Sequence, residues 1–367
     1  MNIAFVIKDN YQNCPPLVRL LWRLSDNGHK VDIFCVGKHL SFKEINKNIK
    51  IICVPEAKGI ATKFRPLLEI PRLKKALIKL DHAVDICIAF DPYALEAVRQ
   101  SRTYKKIPVI YYSLELWDEF RFWPQRLFET VGHKILKGII SPQETRLAYL
   151  KKKFNLKIQS MIFPNTTYDY FEELDEDQRT LRNQLKYFVY IGGLQKGRAI
   201  PQLLEVFGNR IPHSHLIIYG KGTKRFNKRI KYLINSLKYK DNIRINEFLT
   251  YPNHYKKIRY MYVGIMLYEN ISLNYRYCAP NKLYEYSMMG IPILSSNQPH
   301  LKNCIEKYGM GICVDPNDVN EIEQGVRMFI DKTDIDVMSN NARKWFIKNG
   351  SYDIFFAKFL QFCESII

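Results

Sequence analysis

The chain has 367 residues, more than one ordinary domain, so two domains with separate cores are expected. Hydrophobic residues make up 47% and aromatic residues 13%, which excludes a disordered chain, and no apolar run approaches the roughly 20 residues that span a bilayer. The net charge is +20, and residues 1–165 hold 28 Lys and Arg against 15 Asp and Glu, whereas the remainder holds 28 against 21. Such charge attracts a diphosphate, an anionic lipid surface, a pyrophosphate-linked acceptor or nucleic acid. Eight cysteines lack any Cys-x-x-Cys spacing and several sit in apolar strand-like runs, so buried free thiols in a reducing compartment are expected. The histidines form no metal pattern, since His213 and His215 have no third ligand nearby.

Residues 1–8 read as a buried strand, because the apolar run is too short for a signal peptide and no small-residue cleavage site follows; a cytoplasmic location is expected. Strand-like runs at 3–7, 31–36, 51–54, 86–90 and 109–112 alternate with amphipathic stretches such as 17–26. That rhythm is βα repetition, which builds a mostly parallel sheet covered by helices. Between residues 117 and 137, Trp117, Phe120, Phe122, Trp123 and Phe128 interleave with Arg121, Arg126, Lys134 and Lys137, a pattern that suits an anionic membrane surface if the rings are exposed. The first domain is taken as 1–165 and an acidic connector as 166–186. The rhythm restarts at residue 187, with strands at 216–219, 243–245, 263–267, 291–294 and 312–314. A second Rossmann-like domain therefore spans 187–350, and a terminal helix, 351–367, is expected to cross back to the first.

In parallel sheets ligands gather beyond the carboxyl ends of the strands, and two such sheets face each other across a cleft. The segments placed there in the second half carry the candidate chemistry. Gly192 and Gly193, read as a turn after a strand, let the backbone approach a diphosphate, and Lys196 or Arg198 neutralises it. Gly220 and Lys221 follow the next strand, and Glu247 and Phe248 the one after. The stretch Tyr268 to Glu285, with Tyr277 in it, ends the set: Pro280 presets a first helical turn, Asn281 is expected to cap it, Lys282 adds a cation, Leu283 continues the helix, and Glu285 can accept from vicinal ribose hydroxyls.

Pro280-Asn281-Lys282-Leu283-Tyr284-Glu285-Tyr286 resembles the Pro-Asn-Lys-x-x-Glu-Tyr signature of retaining glycosyltransferases of the GT-B fold, particularly family 4. Residues 187–198 resemble that family's strand, glycine segment and basic phosphate anchor, 216–222 its second strand, and 162–165 its interdomain crossing. The resemblance implies two Rossmann-like domains, a nucleotide-diphosphate sugar as donor with no cofactor, and a glycan or lipid-linked acceptor in surface polysaccharide or glycoconjugate synthesis. It implies same-face attack in which a donor phosphate oxygen helps deprotonate the acceptor, without a dedicated nucleophile. The chain departs from the family at Tyr277, where relatives carry a sugar-binding Glu, and at Leu114, where they carry a His; Glu115 remains as a carboxylate candidate of the first domain. Asp175-Glu176-Asp177 and Asp334-Ile335-Asp336 do not follow strands, so a metal-independent reaction is expected. A catalytically inactive binding module of the same fold is the alternative. Nucleic acid is not expected as a partner, because no helix-turn-helix, finger or RNA-recognition signature accompanies the charge.

Overall fold

Among the residues that the computed structural model describes (1–37, 47–59, 64–80, 84–118, 123–247, 249, 253–331 and 334–367), strands form two wholly parallel sheets. The sheets belong to two compact units, Met1–Asn165 with Asp353–Ile367, and Thr166–Tyr352.

The first unit contains β1 (Asn2–Val6), β2 (Lys30–Val36), β3 (Ile49–Val54), β4 (Ile86–Ala89), β5 (Val109–Tyr112), β6 (Gly138–Ser141) and β7 (Gln159–Ile162), in the order β3-β2-β1-β4-β5-β6-β7. The inner strands β4, β5 and β6 are buried at every residue, which is why they read as continuous runs rather than alternations. Strands β6 and β7 escape the sequence reading. One contains only two consecutive isoleucines, and the other is an edge strand with a mostly exposed face. The terminal helix Tyr352–Glu364 contributes to this unit's core: the Phe359 ring stacks on Phe163 at 5.7 Å. It packs so closely that a Cβ on Gly138 would lie 2.9 Å from the Phe362 ring.

The second unit contains β8 (Tyr187–Leu194), β9 (His215–Gly222), β10 (Ile243–Asn246), β11 (Val263–Met266), β12 (Ile293–Ser296) and β13 (Gly311–Val314), in the order β10-β9-β8-β11-β12-β13. One face of this sheet is packed by Phe188, Tyr190, Phe207 and Phe329, the other by Val189, Met266, Tyr286 and Trp345. The glycine pairs are not turns. Gly192 and Gly193 lie inside β8, opposite Gly220 and Lys221 of β9, so both strands run further than their apolar cores suggest. A Cβ on Gly220 would lie 2.8 Å from the Gly192 carbonyl oxygen, so glycine is what lets this extended ladder close. All eight cysteines are free, and six of them are buried.

Candidate functional site

In the second sheet β8 lies between β9 and β11, so the connections change direction between β8 and β11. A topological switch of this kind opens a ligand crevice beyond the carboxyl ends of those two strands. Three segments of the unit meet there: the turn 195–199 after β8, residues 267–269 after β11, and the helix Asn281–Met288.

Hydrogen bonds join the first two. The Glu269 N–H donates to the Gly197 carbonyl at 3.1 Å, and the Ala199 N–H donates to Glu269 Oε1 at 3.2 Å. The Tyr275 hydroxyl donates to the Lys196 carbonyl at 3.0 Å. Gly197 has φ of 87° and lies under the Tyr275 ring, 2.6 Å from where a Cβ would stand, so a side chain is excluded there. The helix Asn281–Met288 is seated by Tyr286, whose hydroxyl donates to the Val189 carbonyl at 3.2 Å. From Lys282 to Met288 every residue is buried, which rules out an ordinary surface helix. Its expected cap is corrected by the structure. Pro280 itself occupies the cap position, Asn281 is the first helical residue, and the cap residue, a proline, offers the first-turn N–H groups no side-chain acceptor.

Two cations converge on this crevice. The Arg198 guanidinium lies 4.3 Å from the Tyr268 ring centre and 5.1 Å from that of Tyr275. The Lys282 ammonium lies 3.7 Å from the Tyr190 ring centre and 5.8 Å from that of Tyr268, and Lys282 is only 7% exposed. Among the described residues Lys282 Nζ and Arg198 Nε are buried without a hydrogen-bond partner. Burial, reinforced by the charge of Arg198 and partly opposed by Glu285, holds the Lys282 pKa well below the ordinary lysine range. Gly192, with φ of 141°, leaves room for this side chain; a Cβ there would stand 3.3 Å from Lys282 Cε. The phenols stay protonated, because burial pushes Tyr190 up to about 12 and raises Tyr268 further. One turn along the helix, Glu285 is buried with Oε1 3.6 Å from His254 Nε2. An unpaired buried ammonium is costly in free energy, and an anion placed against it removes that cost.

The remaining expected residues fall out unevenly. Gly192, Lys282 and Arg198 come together, and Pro280, Asn281 and Glu285 belong to the same helix. Leu283 points into the core, so only its backbone is available to a ligand. Tyr277 is half-buried at the end of the short helix Leu273–Arg276. Gly193, Lys196, Lys221 and Glu247 are exposed, Gly220 is half-buried, and Phe248 lies outside the described residues. Glu115 belongs to the first unit, where it is exposed and 3.8 Å from Arg146. What sequence reasoning missed is the aromatic role: Tyr190, Tyr268 and Tyr275 hold the two cations, and the available signal was a tyrosine within or just after each switch-point strand, Tyr190 and Tyr268, whereas Tyr275 lies further on in the helix Leu273–Arg276.

A cavity of about 500 Å³ lies at the other end of the motif helix, beside Met289 and Gly290. Its arginines are already paired, Arg182 with Asp336 at 2.6 Å, Arg343 with Asp169 at 2.6 Å, Arg179 with Glu173 at 3.8 Å, and Arg259 with Glu172, so it lacks the unneutralised charge of the crevice. The acidic motifs serve local structure: Asp175 and Asp334 cap helices through backbone N–H groups. In the first unit a groove of about 490 Å³ has Phe34, Ile52, Val54 and Pro55 in its lining and Lys50, Arg72, Lys75 and Lys79 around them. Of the aromatic stretch, Trp123 is 60% exposed while the Phe128 ring packs on Tyr93 at 5.7 Å; Phe120, Arg121 and Phe122 lie outside the described residues. Among the described residues no helix is long and apolar enough to cross a membrane.

Residues 171–349, which include the whole crevice, match the family described as Glycosyl transferases group 1. No curated protein sequence matches the chain. Among solved structures, the sucrose-phosphate synthase of Thermosynechococcus elongatus superposes with a TM-score of 0.80 at 13% identity, over 100% of this chain and 99% of that one. HepE of Anabaena, solved in complex with UDP, gives 0.78 at 13% identity over 100% of both chains. WaaG, a glycosyltransferase involved in lipopolysaccharide biosynthesis, gives 0.73 at 13% identity over 97% of this chain and 98% of that one. At such identities these likenesses establish the fold, and the family match establishes the chemistry. The second unit is a Glycosyl transferases group 1 domain, and the chain is a nucleotide-sugar-dependent glycosyltransferase of the GT-B fold.

Proposed function

We propose that the chain transfers a hexosyl group from a uridine-diphosphate sugar to a glycan or lipid-linked saccharide in surface polysaccharide or glycoconjugate synthesis, with retention and without a metal. The observation that carries this reading is the buried, partnerless ammonium of Lys282 beside Gly192 and Arg198. Two fixed cations match the two phosphates of the departing nucleotide, and their attraction is strongest when the leaving charge has developed. The uncapped first turn of Asn281–Met288 adds backbone N–H donors, and Glu285 accepts from the ribose. Retention follows if a donor phosphate oxygen takes the acceptor proton on the face from which the nucleotide departs. The choice of uridine rests on HepE, solved with UDP and with UDP-glucose.

The acceptor reading draws on the groove of the first unit. Its apolar lining suits a hydrocarbon chain and its basic residues a linking phosphate, while the exposed Trp123 suits a peripheral position at the inner face of a membrane. Calorimetric titration with UDP tests the donor site: Arg198→Ala and Lys282→Gln should each weaken UDP binding about tenfold or more and uridine binding little. Glu285→Gln should weaken both. Equal loss of UDP and uridine in the cation variants would remove them from the phosphate site. Transfer that stops in excess chelator and returns with magnesium or manganese would overturn the metal-free reading.

A further inference from the structure

The helix Lys224–Asn235 divides sharply into two faces. Phe226, Ile230, Leu233 and Ile234 pack it onto the core of the second unit. On the opposite side, successive 100° steps place Lys224, Arg225, Lys228, Arg229 and Lys231 in an arc of about 160°. All five are exposed, and Tyr232 stands in the middle of the arc, 76% exposed. Residues 221–240 contain eight Lys and Arg and no Asp or Glu. Among the described residues the five cations form no ion pair, whereas arginines elsewhere on the same unit do: Arg210 pairs with Glu205 and Glu323, and Arg327 with Glu323. The face thus holds like charges side by side, none of them in an ion pair among the described residues.

We infer that this face docks on a bilayer that contains anionic phospholipid. The apolar side of the helix is already buried in its own unit, so the attachment is electrostatic and superficial: headgroup phosphates meet the cations, and the Tyr232 ring settles among the headgroups. A convex face with one ring fits a plane better than a single nucleic-acid strand, which needs a groove and a succession of stacking rings. The inference concerns a surface of the second unit separate from the aromatic stretch of the first, and it stands independently of the donor reading.

The test uses the full chain and vesicles of phosphatidylcholine alone or with an equal part of phosphatidylglycerol. At low salt the wild type should sediment with the acidic vesicles and not with the neutral ones. Lys228→Glu combined with Arg229→Glu should weaken this binding about tenfold or more, Tyr232→Ala should weaken it several-fold, and high salt should abolish it. UDP affinity and Tm measured on the same variants separate a lost surface from a lost fold, since both should stay unchanged. Three results would overturn the inference: no wild-type binding to acidic vesicles at low salt, undiminished binding by the double variant, or displacement of the vesicles by a single-stranded oligonucleotide at equal phosphate concentration. The last would assign the face to nucleic acid.

Discussion

Lys282 is a cation placed where its charge is poorly solvated, and that fixes how the free protein responds to pH. Its pKa in the folded chain is lowered from the ordinary value of about 10.4, chiefly by burial. Between the lowered value and about 10.4 the unfolded chain carries one more proton than the folded one, so stability rises with pH across that window. Urea denaturation at a series of pH values should show this slope, and Lys282→Met should flatten it. On the proposed donor reading, the diphosphate reverses the preference by supplying negative charge. Binding should therefore take up a proton at pH values above the lowered pKa, measured as a buffer-dependent calorimetric enthalpy that disappears in Lys282→Gln. The legibility of this residue was partial: the motif marked Lys282 as a donor ligand, but its burial depends on Tyr190 and Tyr268, distant in sequence and brought alongside by the sheet order.

At the scale of elements, the motif helix is positioned from beneath rather than by its cap. Gly264 in β11 leaves the hollow that Tyr286 fills, and a Cβ there would approach the ring to 2.5 Å. Gly264→Ala should cost about 1–3 kcal/mol in urea denaturation, because the added methyl meets a fully buried ring in a close-packed core. It should also weaken UDP binding by shifting the helix that bears Lys282. Normal UDP affinity in a destabilised variant would show that the helix tolerates displacement. Most strands of both sheets were legible, since buried parallel strands announce themselves as short apolar runs. The extensions of β8 and β9 were not. Gly192, Gly193, Gly220 and Gly222 read as turn residues, and their strand conformation depends on mutual pairing that one segment alone cannot reveal. The same limit hid β7, whose edge position leaves half its residues polar.

For the whole molecule, the terminal helix is the feature that binds chain order to architecture. Phe359 is fully buried against Phe163, so Phe359→Ala should cost about 3–5 kcal/mol, measured by urea denaturation. UDP affinity should stay within about twofold of wild type, because the crevice is built from residues of Thr166–Tyr352 alone. A matching loss of UDP affinity would mean that the site depends on the first unit. The two-sheet organisation was legible because the βα rhythm stops near residue 165 and restarts at 187. That arrangement also orders events on the ribosome. The second unit is contiguous and all of it leaves the ribosome ahead of Phe359 and Cys363, which the first unit needs before its last hydrophobic surface is covered. The half made first is thus the half finished last, and throughout that interval its uncovered Phe163 is what a chaperone would meet.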